Sequence, residues 1–298
     1  MLLVYGYANA DIVARVHRLL GDGDRATAER IDTLPGGMAA NCACAAAWCG
    51  SEVVFFGNVG RDPFGELLLA DFSAYGVNVD HVVRDEATTK AIVTVTAAGE
   101  RAIISEETAF RPEKLAAFLD NQLDSQLGNQ TEPGWLYVDG YHVGRAPLSL
   151  AKKRGLNLYC DLDGAPDTYD LGVILDALEN IDVVQWNPKV KHALARQSDL
   201  DLPALERELY TRVATVITTN GARSITLNAH SEETTVDVPH TETVVDTTGA
   251  GDIFAGATLH YLGLGYSVLD AVDKSRYVAA RSVGRSGARL AADAGRRR

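Results

Sequence analysis

The sequence predicts an α/β fold: a doubly wound, mostly parallel sheet with helices on both faces, plus a small antiparallel β lid. Three observations lead there. Through the middle of the chain short apolar runs alternate with segments of helical periodicity, the pattern of repeated strand–helix crossovers. Several of these runs end in a polar side chain, at Asn9, Asp139, Asp161 and Asn187, and the carboxyl ends of parallel strands are where open α/β sheets keep their ligands. Two further segments read instead as hairpins, which suggests a second sheet of antiparallel strands.

Taken in order, residues 1–6 are apolar and form a first buried strand that delivers Asn9 and Asp11 at its end. Residues 12–32 are awkward for a helix because Gly21-Asp22-Gly23-Asp24 is a strong turn signal, so a hairpin is expected. Pro35-Gly36-Gly37 then opens a helix of small side chains that stops at Gly50. The paired glycines let backbone N–H groups approach a ligand, and Asn41 can both donate and accept. The second hairpin spans residues 88–105 and turns at Ala98-Gly99-Glu100. Helices are expected at 112–127, 147–153 and 205–212, and strands at 135–138, 156–160, 181–184 and 213–218. No repeat or low-complexity linker interrupts the pattern, so residues 1–298 are read as one domain with lid strands at roughly 11–33 and 88–105.

Composition narrows the function classes. Of 298 residues 46% are hydrophobic and 23% charged, ordinary for a globular chain with a sizeable core. A formal net charge of −12 repels nucleic acid overall. Arg281, Arg285 and Arg289 recur at helical spacing and the chain ends in three arginines; a solvated helix face and a loose tail are the plain reading, attraction of nucleotide phosphates the functional one. Cys42, Cys44, Cys49 and Cys160 match neither a disulfide framework nor metal spacing and read as reduced side chains of a cytoplasmic protein. No apolar run reaches membrane-spanning length, and residues 1–5 lack a basic leader. P-loop, protein-kinase and hydrolase signatures are missing.

The most informative stretch is residues 244–257, read as a strand end, a small-residue turn and the start of a long apolar helix. Gly249, Ala250 and Gly251 leave the first N–H groups of that helix unobstructed, an anion site suited to a phosphoryl group. Asp252 follows in the first turn, where the positive helix end is expected to keep it ionised at neutral pH. A carboxylate base beside an anion cradle suits phosphoryl transfer to a hydroxyl. The alternative is that Asp252 only caps the helix.

Asp246-Thr247-Thr248-Gly249-Ala250-Gly251-Asp252, followed by Ile253-Phe254-Ala255-Gly256-Ala257, resembles the C-terminal signature of the ribokinase-like (phosphofructokinase-B) carbohydrate kinases. Gly36, Gly37 and Asn41, with Gly57-Asn58-Val59-Gly60 downstream, are similar to the N-terminal signature. The resemblance implies a sugar kinase using ATP and Mg2+. Asp252 would be the catalytic base, and Gly249, Ala250 and Gly251 the anion hole. Asn9, Asp11, Gly36, Gly37 and Asn41 would bind the sugar, and Asn187, Thr219 and Gly221 the nucleotide. Asp246 and Thr248 would hold a monovalent cation, K+. It also implies that the lid covers the sugar and joins two copies into a homodimer. The chain departs from the family pattern at Met38, where several members carry lysine, at Val190 in place of a glutamate, at Ser224 in place of a glycine and at Ala291 in place of a serine. Ribose, fructose or a similar unphosphorylated sugar is the expected acceptor. A nucleoside kinase stays open through Tyr7, Tyr141 and Trp186, and a non-catalytic binding protein through Val190. His142 and His240 could stand near a pocket but read more simply as core or surface side chains.

Overall fold

Every residue of strand β1 (Leu2–Tyr5) is buried, because the strand lies inside the main sheet with helices above and below it. The computed structural model describes residues 1–97, 99–107, 109–123, 134–229 and 232–292. Among these residues the main sheet has eight strands. From one edge to the other they are β14 (Glu232–Asp237), β13 (Ser224–Ala229), β12 (Thr215–Thr219), β11 (Val183–Trp186), β10 (Asn157–Asp161), β9 (Trp135–Asp139), β1 and β4 (Val53–Phe56). All neighbours from β12 to β4 run parallel, so Asp139, Asp161, Trp186 and Thr219 arrive at the same end of the sheet.

Alternation along these strands sorts the core into two layers. Leu3, Tyr5, Phe56, Leu136 and Val138 face α3 (Pro112–Asn121), α4 (Leu148–Lys153), α6 (Leu171–Leu178), α7 (Pro188–Ser198) and α8 (Leu202–Arg212). Leu2, Val4, Phe55 and Tyr137 face α1 (Met38–Cys49), α2 (Pro63–Tyr75), α9 (Ala250–Gly263) and α10 (Val268–Ser282). Cover on both faces explains why the strands read as continuous apolar runs rather than as alternating ones. A short helix, α5 (Ala165–Thr168), follows β10.

A second sheet has the order β3 (Arg30–Gly36), β2 (Asn9–Arg15), β7 (Lys90–Val95), β8 (Arg101–Ser105). The hairpins β2–β3 and β7–β8 are antiparallel, and they meet along β2 and β7, which run parallel. Because β2 starts shortly after β1 ends, this lid springs from the ligand end of the main sheet. Its outer face carries Ile31, Ile92 and Ile104 at 66%, 50% and 71% exposure. A small parallel pair, β5 (Asn58–Gly60) and β6 (Val83–Asp85), lies between the lid hairpins in sequence.

Two local expectations change. Val244 and Val245 form no strand: the sheet already ends at β14, and Val245 N–H donates instead to the C=O of Val283 at 2.8 Å, leaving both side chains exposed. The β13–β14 hairpin, on the other hand, was not foreseen, because its threonine- and glutamate-rich edge strand lacks an apolar period. The helix expected over 112–127 runs Pro112–Asn121; residues 124–127, Ala98 and the arginines 296–298 lie outside the described residues.

Helices α1 and α9 are drawn together at Gly256, where an added Cβ would sit 2.3 Å from the Cys42 carbonyl oxygen and 2.9 Å from the Ala45 Cβ. Asn41 and Asp252 lie on these two helices. Gly256→Ala is therefore expected to push them apart and cost about 1–3 kcal/mol, the usual penalty of overpacking; urea unfolding of the variant against the parent checks it.

Candidate active site

The strand ends open onto a cavity of about 730 Å³ whose wall includes Gly249, Ala250, Gly251, Asp252, Asn187, Thr219 and Gly221. Its polar surface is completed by Asp161, Asp163, Gln185 and, from the lid, Arg101. The tight turn into α9 depends on Gly249, which has φ +71° and packs so closely on Ala288 that a Cβ would lie 2.3 Å from the alanine methyl. No side chain caps α9. The first N–H groups of a helix have no partner within it, so this end, bordered by the cavity, is a ready cradle for an anion. Gln185 Nε2 braces the loop, donating to the Gly251 carbonyl at 3.2 Å and to Asp161 Oδ2 at 2.6 Å.

Asp252 is 9% exposed, and its Oδ2 accepts a 2.6 Å hydrogen bond from Asn41 Nδ2. Burial pushes its carboxyl up to about 7; the Asn41 hydrogen bond opposes this, Asp163 and Asp139 add to it, and the charge of Arg289 works against it. The helix end alone therefore does not keep Asp252 fully ionised at neutral pH, because loss of water around the carboxylate outweighs a helix-end effect. A base titrating near neutrality is well matched to proton abstraction.

The residues expected to bind the sugar do not line this cavity. Asn9 and Gly36 are partners in the β2–β3 register; Asn9 Nδ2 donates to Asp11 Oδ1 at 2.6 Å. A Cβ on Gly36 would lie 2.2 Å from Asp11 Oδ2, so the missing side chain makes room for that carboxylate. Gly37, at φ +99°, passes as close to the Tyr7 carbonyl, where a Cβ would sit 2.5 Å away. Burial raises the Asp11 carboxyl, while Asn9 and the charge of Arg289 hold it down. Asn41 joins this cluster to the cavity through its bond to Asp252, and its amide oxygen accepts from Arg289 Nη1.

Of the residues expected at the nucleotide, Asn187 caps α7 by accepting from Val190 N–H at 3.0 Å, and Val190 itself turns into the core. Thr219 ends β12 with its hydroxyl 3.4 Å from the Trp186 carbonyl, and Gly221 turns the chain at φ +64°. Asp246 accepts from Thr248 N–H and from Gly287 N–H, both at 2.9 Å. Burial disfavours its charge, but those donors and Arg101 more than compensate and hold its carboxyl below the usual range. Thr248 Oγ1 accepts from Arg101 Nη1 at 3.1 Å, which ties the lid to the anion loop.

Some aromatic and histidine expectations are resolved by packing. Trp186 is 0% exposed and donates to Thr218 Oγ1 at 2.8 Å, so it cannot stack on a ligand. Tyr7 and Tyr141 do meet, with ring centroids 5.4 Å apart. His142 is buried against Asp139 at 2.6 Å, whereas His240 stands on the cavity wall. Arg101 reaches Thr248 only through the fold of the lid, and the helical spacing of Arg289, which reads most plainly as a solvated face, does not reveal its place beside Asn41.

A family profile described as pfkB family carbohydrate kinase matches residues 1–294. The chain belongs to the pfkB carbohydrate kinases. This kinase is accordingly a phosphotransferase with an alcohol group as acceptor. It is 26% identical to a fructokinase of Vibrio alginolyticus over 76% of this chain and 75% of the relative. It is 25% identical to an adenosine kinase of Saccharomyces cerevisiae over 83% and 77% of the two chains. The structure of Arabidopsis thaliana ribokinase complexed with ribose and ATP superposes with a TM-score of 0.78, covering 99% of this chain and 96% of that one at 23% identity. Among the described residues no helix is long and apolar enough to cross a membrane.

The titration of Asp252 has a consequence for stability. Its carboxyl is raised from 3.8 to about 7, so the folded state favours the protonated form. The resulting cost is absent below about pH 4, grows between 4 and 7, and is constant above, on the order of 4 kcal/mol at most. Asp252→Asn is expected to raise the melting temperature clearly at pH 8 and hardly at pH 4, which calorimetry at both values measures.

Proposed function

We propose that this kinase moves the γ-phosphoryl group of ATP to a primary hydroxyl of a small unphosphorylated sugar, ribose or fructose or one like them, with Asp252 as general base. The observation that carries the reading is the position of Asp252. Its carboxyl stands on the wall of a nucleotide-sized cavity with a bare helix end and is held by Asn41, whose other partner, Arg289, also acts on Asp11 of the lid hairpin. In the proposed reaction Asp252 takes the hydroxyl proton as the new O–P bond forms and the bond to the departing ADP breaks. The N–H groups of Gly249, Ala250 and Gly251 hold the charge that spreads over the phosphoryl oxygens. Asn9 and Asp11 offer a polar rest for sugar hydroxyls, Gly36 and Gly37 let the backbone close on the ring, and Asn41 holds the base. Asn187, Thr219 and Gly221 border the nucleotide.

Magnesium fits the acidic side of the cavity: Asp163 and Asn187 would meet it, whereas buried Val190 offers no oxygen. Bound there it would neutralise phosphate charge. Among the described residues no group of three or more His, Cys, Asp or Glu side chains is placed to hold a metal ion, which supports a metal carried mainly by phosphates and water. The ionised Asp246 and the Thr248 hydroxyl would hold K+ beside the anion loop. Arg101 reaches the same loop from the lid, a cation well placed to arrive with lid closure.

A nucleoside acceptor is the second reading, favoured by the Tyr7–Tyr141 ring pair and by the similarity to an adenosine kinase. We also infer one domain over 1–298, a cytoplasmic setting in which Cys42, Cys44 and Cys160 stay reduced and buried, and a homodimer formed by the isoleucine face of the lid.

Asp252→Asn is expected to lower kcat by at least ~100-fold, within the range of general-base effects, with ATP and sugar binding retained by calorimetry; turnover at the parent rate refutes the role. A panel of ribose, fructose and adenosine, scored by ADP release, decides the acceptor. Ile104→Lys is expected to convert a dimer to monomers in light scattering; an unchanged mass removes the lid from the interface.

A further inference from the structure

The arginines spaced alike in sequence part company in the structure. Arg281 is exposed with its guanidinium 5.5 Å from the Trp48 ring, and Arg285 is also exposed, but Arg289 is 11% exposed and sits beneath the site. Helix α10 ends at Ser282, and the chain then crosses to α1 and α2. Tyr75 Oη donates to the Leu290 carbonyl, Trp48 Nε1 donates to the Ala291 carbonyl at 2.9 Å, and Leu290 packs with Ala45 and Ile253. This strap delivers Arg289 to Asp71 of α2, whose Oδ2 accepts from Arg289 Nε at 2.8 Å. Arg289 Nη1 donates to Asn41 Oδ1, and Asn41 Nδ2 donates to Asp252 Oδ2 at 2.6 Å.

A carboxamide has one accepting end and one donating end. With a guanidinium on one side and a carboxylate on the other, only one orientation of Asn41 is favourable. The reverse would set the NH2 against Arg289 and the carbonyl oxygen against Asp252, two repulsive contacts in a buried place. The orientation of Asn41 is therefore dictated by charge.

We propose that Arg289, anchored on Asp71, is a positioning residue for phosphoryl transfer: through Asn41 it aims the Asp252 carboxylate and keeps it in its basic form. This rests on Asp252 being the base. The groups facing Asp252 are Asp139 at the end of β9, Asp161 at the end of β10 and Asp163 just after it, the neutral Tyr137, Tyr141 and Cys42, and the cation Arg289. Burial and the neighbouring carboxylates favour protonation; Asn41 and Arg289 resist it. Without Arg289 the amide loses its orienting partner and the base is protonated at neutral pH. Asp11 feels the same guanidinium, so one cation acts on both carboxylates.

The test is the pH profile of kcat for the full-length kinase with ATP and its best acceptor, in Arg289→Gln, Arg289→Lys and Asp71→Asn, alongside melting curves. Arg289→Gln is expected to move the acidic limb up by about one pH unit, a tenfold loss on the limb that is regained at high pH, with KM for ATP unchanged. Arg289→Lys is expected to restore part of the shift, and Asp71→Asn to give a smaller displacement in the same direction. If Arg289→Gln does not fold, Asp71→Asn carries the test, since it leaves the guanidinium in place without its anchor. A fall in kcat or in melting temperature with the limb unmoved overturns the proposal and makes Arg289 a structural cross-link. Asp252→Asn separates the two readings: full turnover there ends the general-base role, whereas a dead Asp252→Asn beside a native Arg289→Gln profile ends only the relay.

Discussion

A single hydrogen bond between α1 and α9, from the Asn41 amide to the Asp252 carboxylate, is the contact on which the rest of the site depends. A carboxylate removed from water is costly unless a donor meets it. Here the donor comes from a helix more than 200 residues away in sequence, at a separation of 211. That bond requires the two helix axes to lie unusually close, which the alanine-rich face of α1 and Gly256 of α9 permit. The small residues of α1 thus decide whether Asn41 can reach Asp252.

The sheet supplies the other half of the arrangement. Its parallel strands end together, so Asp139, Asp161, Gln185 and Thr219 converge on one opening without any long loop to position them. The cavity stands at that opening, and the lid leaves the sheet from β1 at the same end. Phosphoryl transfer needs donor and acceptor within contact distance and water kept out. An opening floored by strand ends and roofed by a second sheet answers both needs. Arg101 links roof and floor through its hydrogen bond to Thr248.

Electrostatically the site is held in opposition. Asp139, Asp161 and Asp252 are buried, with Asp163 half-buried beside them, and burial favours the protonated form of Asp252. Asp71, Arg289 and Asn41 form a chain of alternating charge and dipole that brings a cation toward Asp252. The guanidinium meets Asp252 only through the Asn41 amide, so the two charges are linked without a direct ion pair.

Much of this was legible in the chain. Apolar runs with polar ends determined the doubly wound sheet, and the Gly249-Ala250-Gly251-Asp252 string determined the turn, the helix start and the family, because a helix end and a positive-φ glycine are local features. What lay beyond the sequence was everything that depends on distant partners. Val244 and Val245 looked like a strand, yet a strand exists only where a neighbour is left to pair with it. The protonation of Asp252 was misjudged because helix position can be read from spacing but burial cannot. Arg289 looked like one of a solvated row until the strap carried it under the site. Local propensity and spacing specify which backbone forms; only tertiary packing decides which charge loses its water and which partner replaces it.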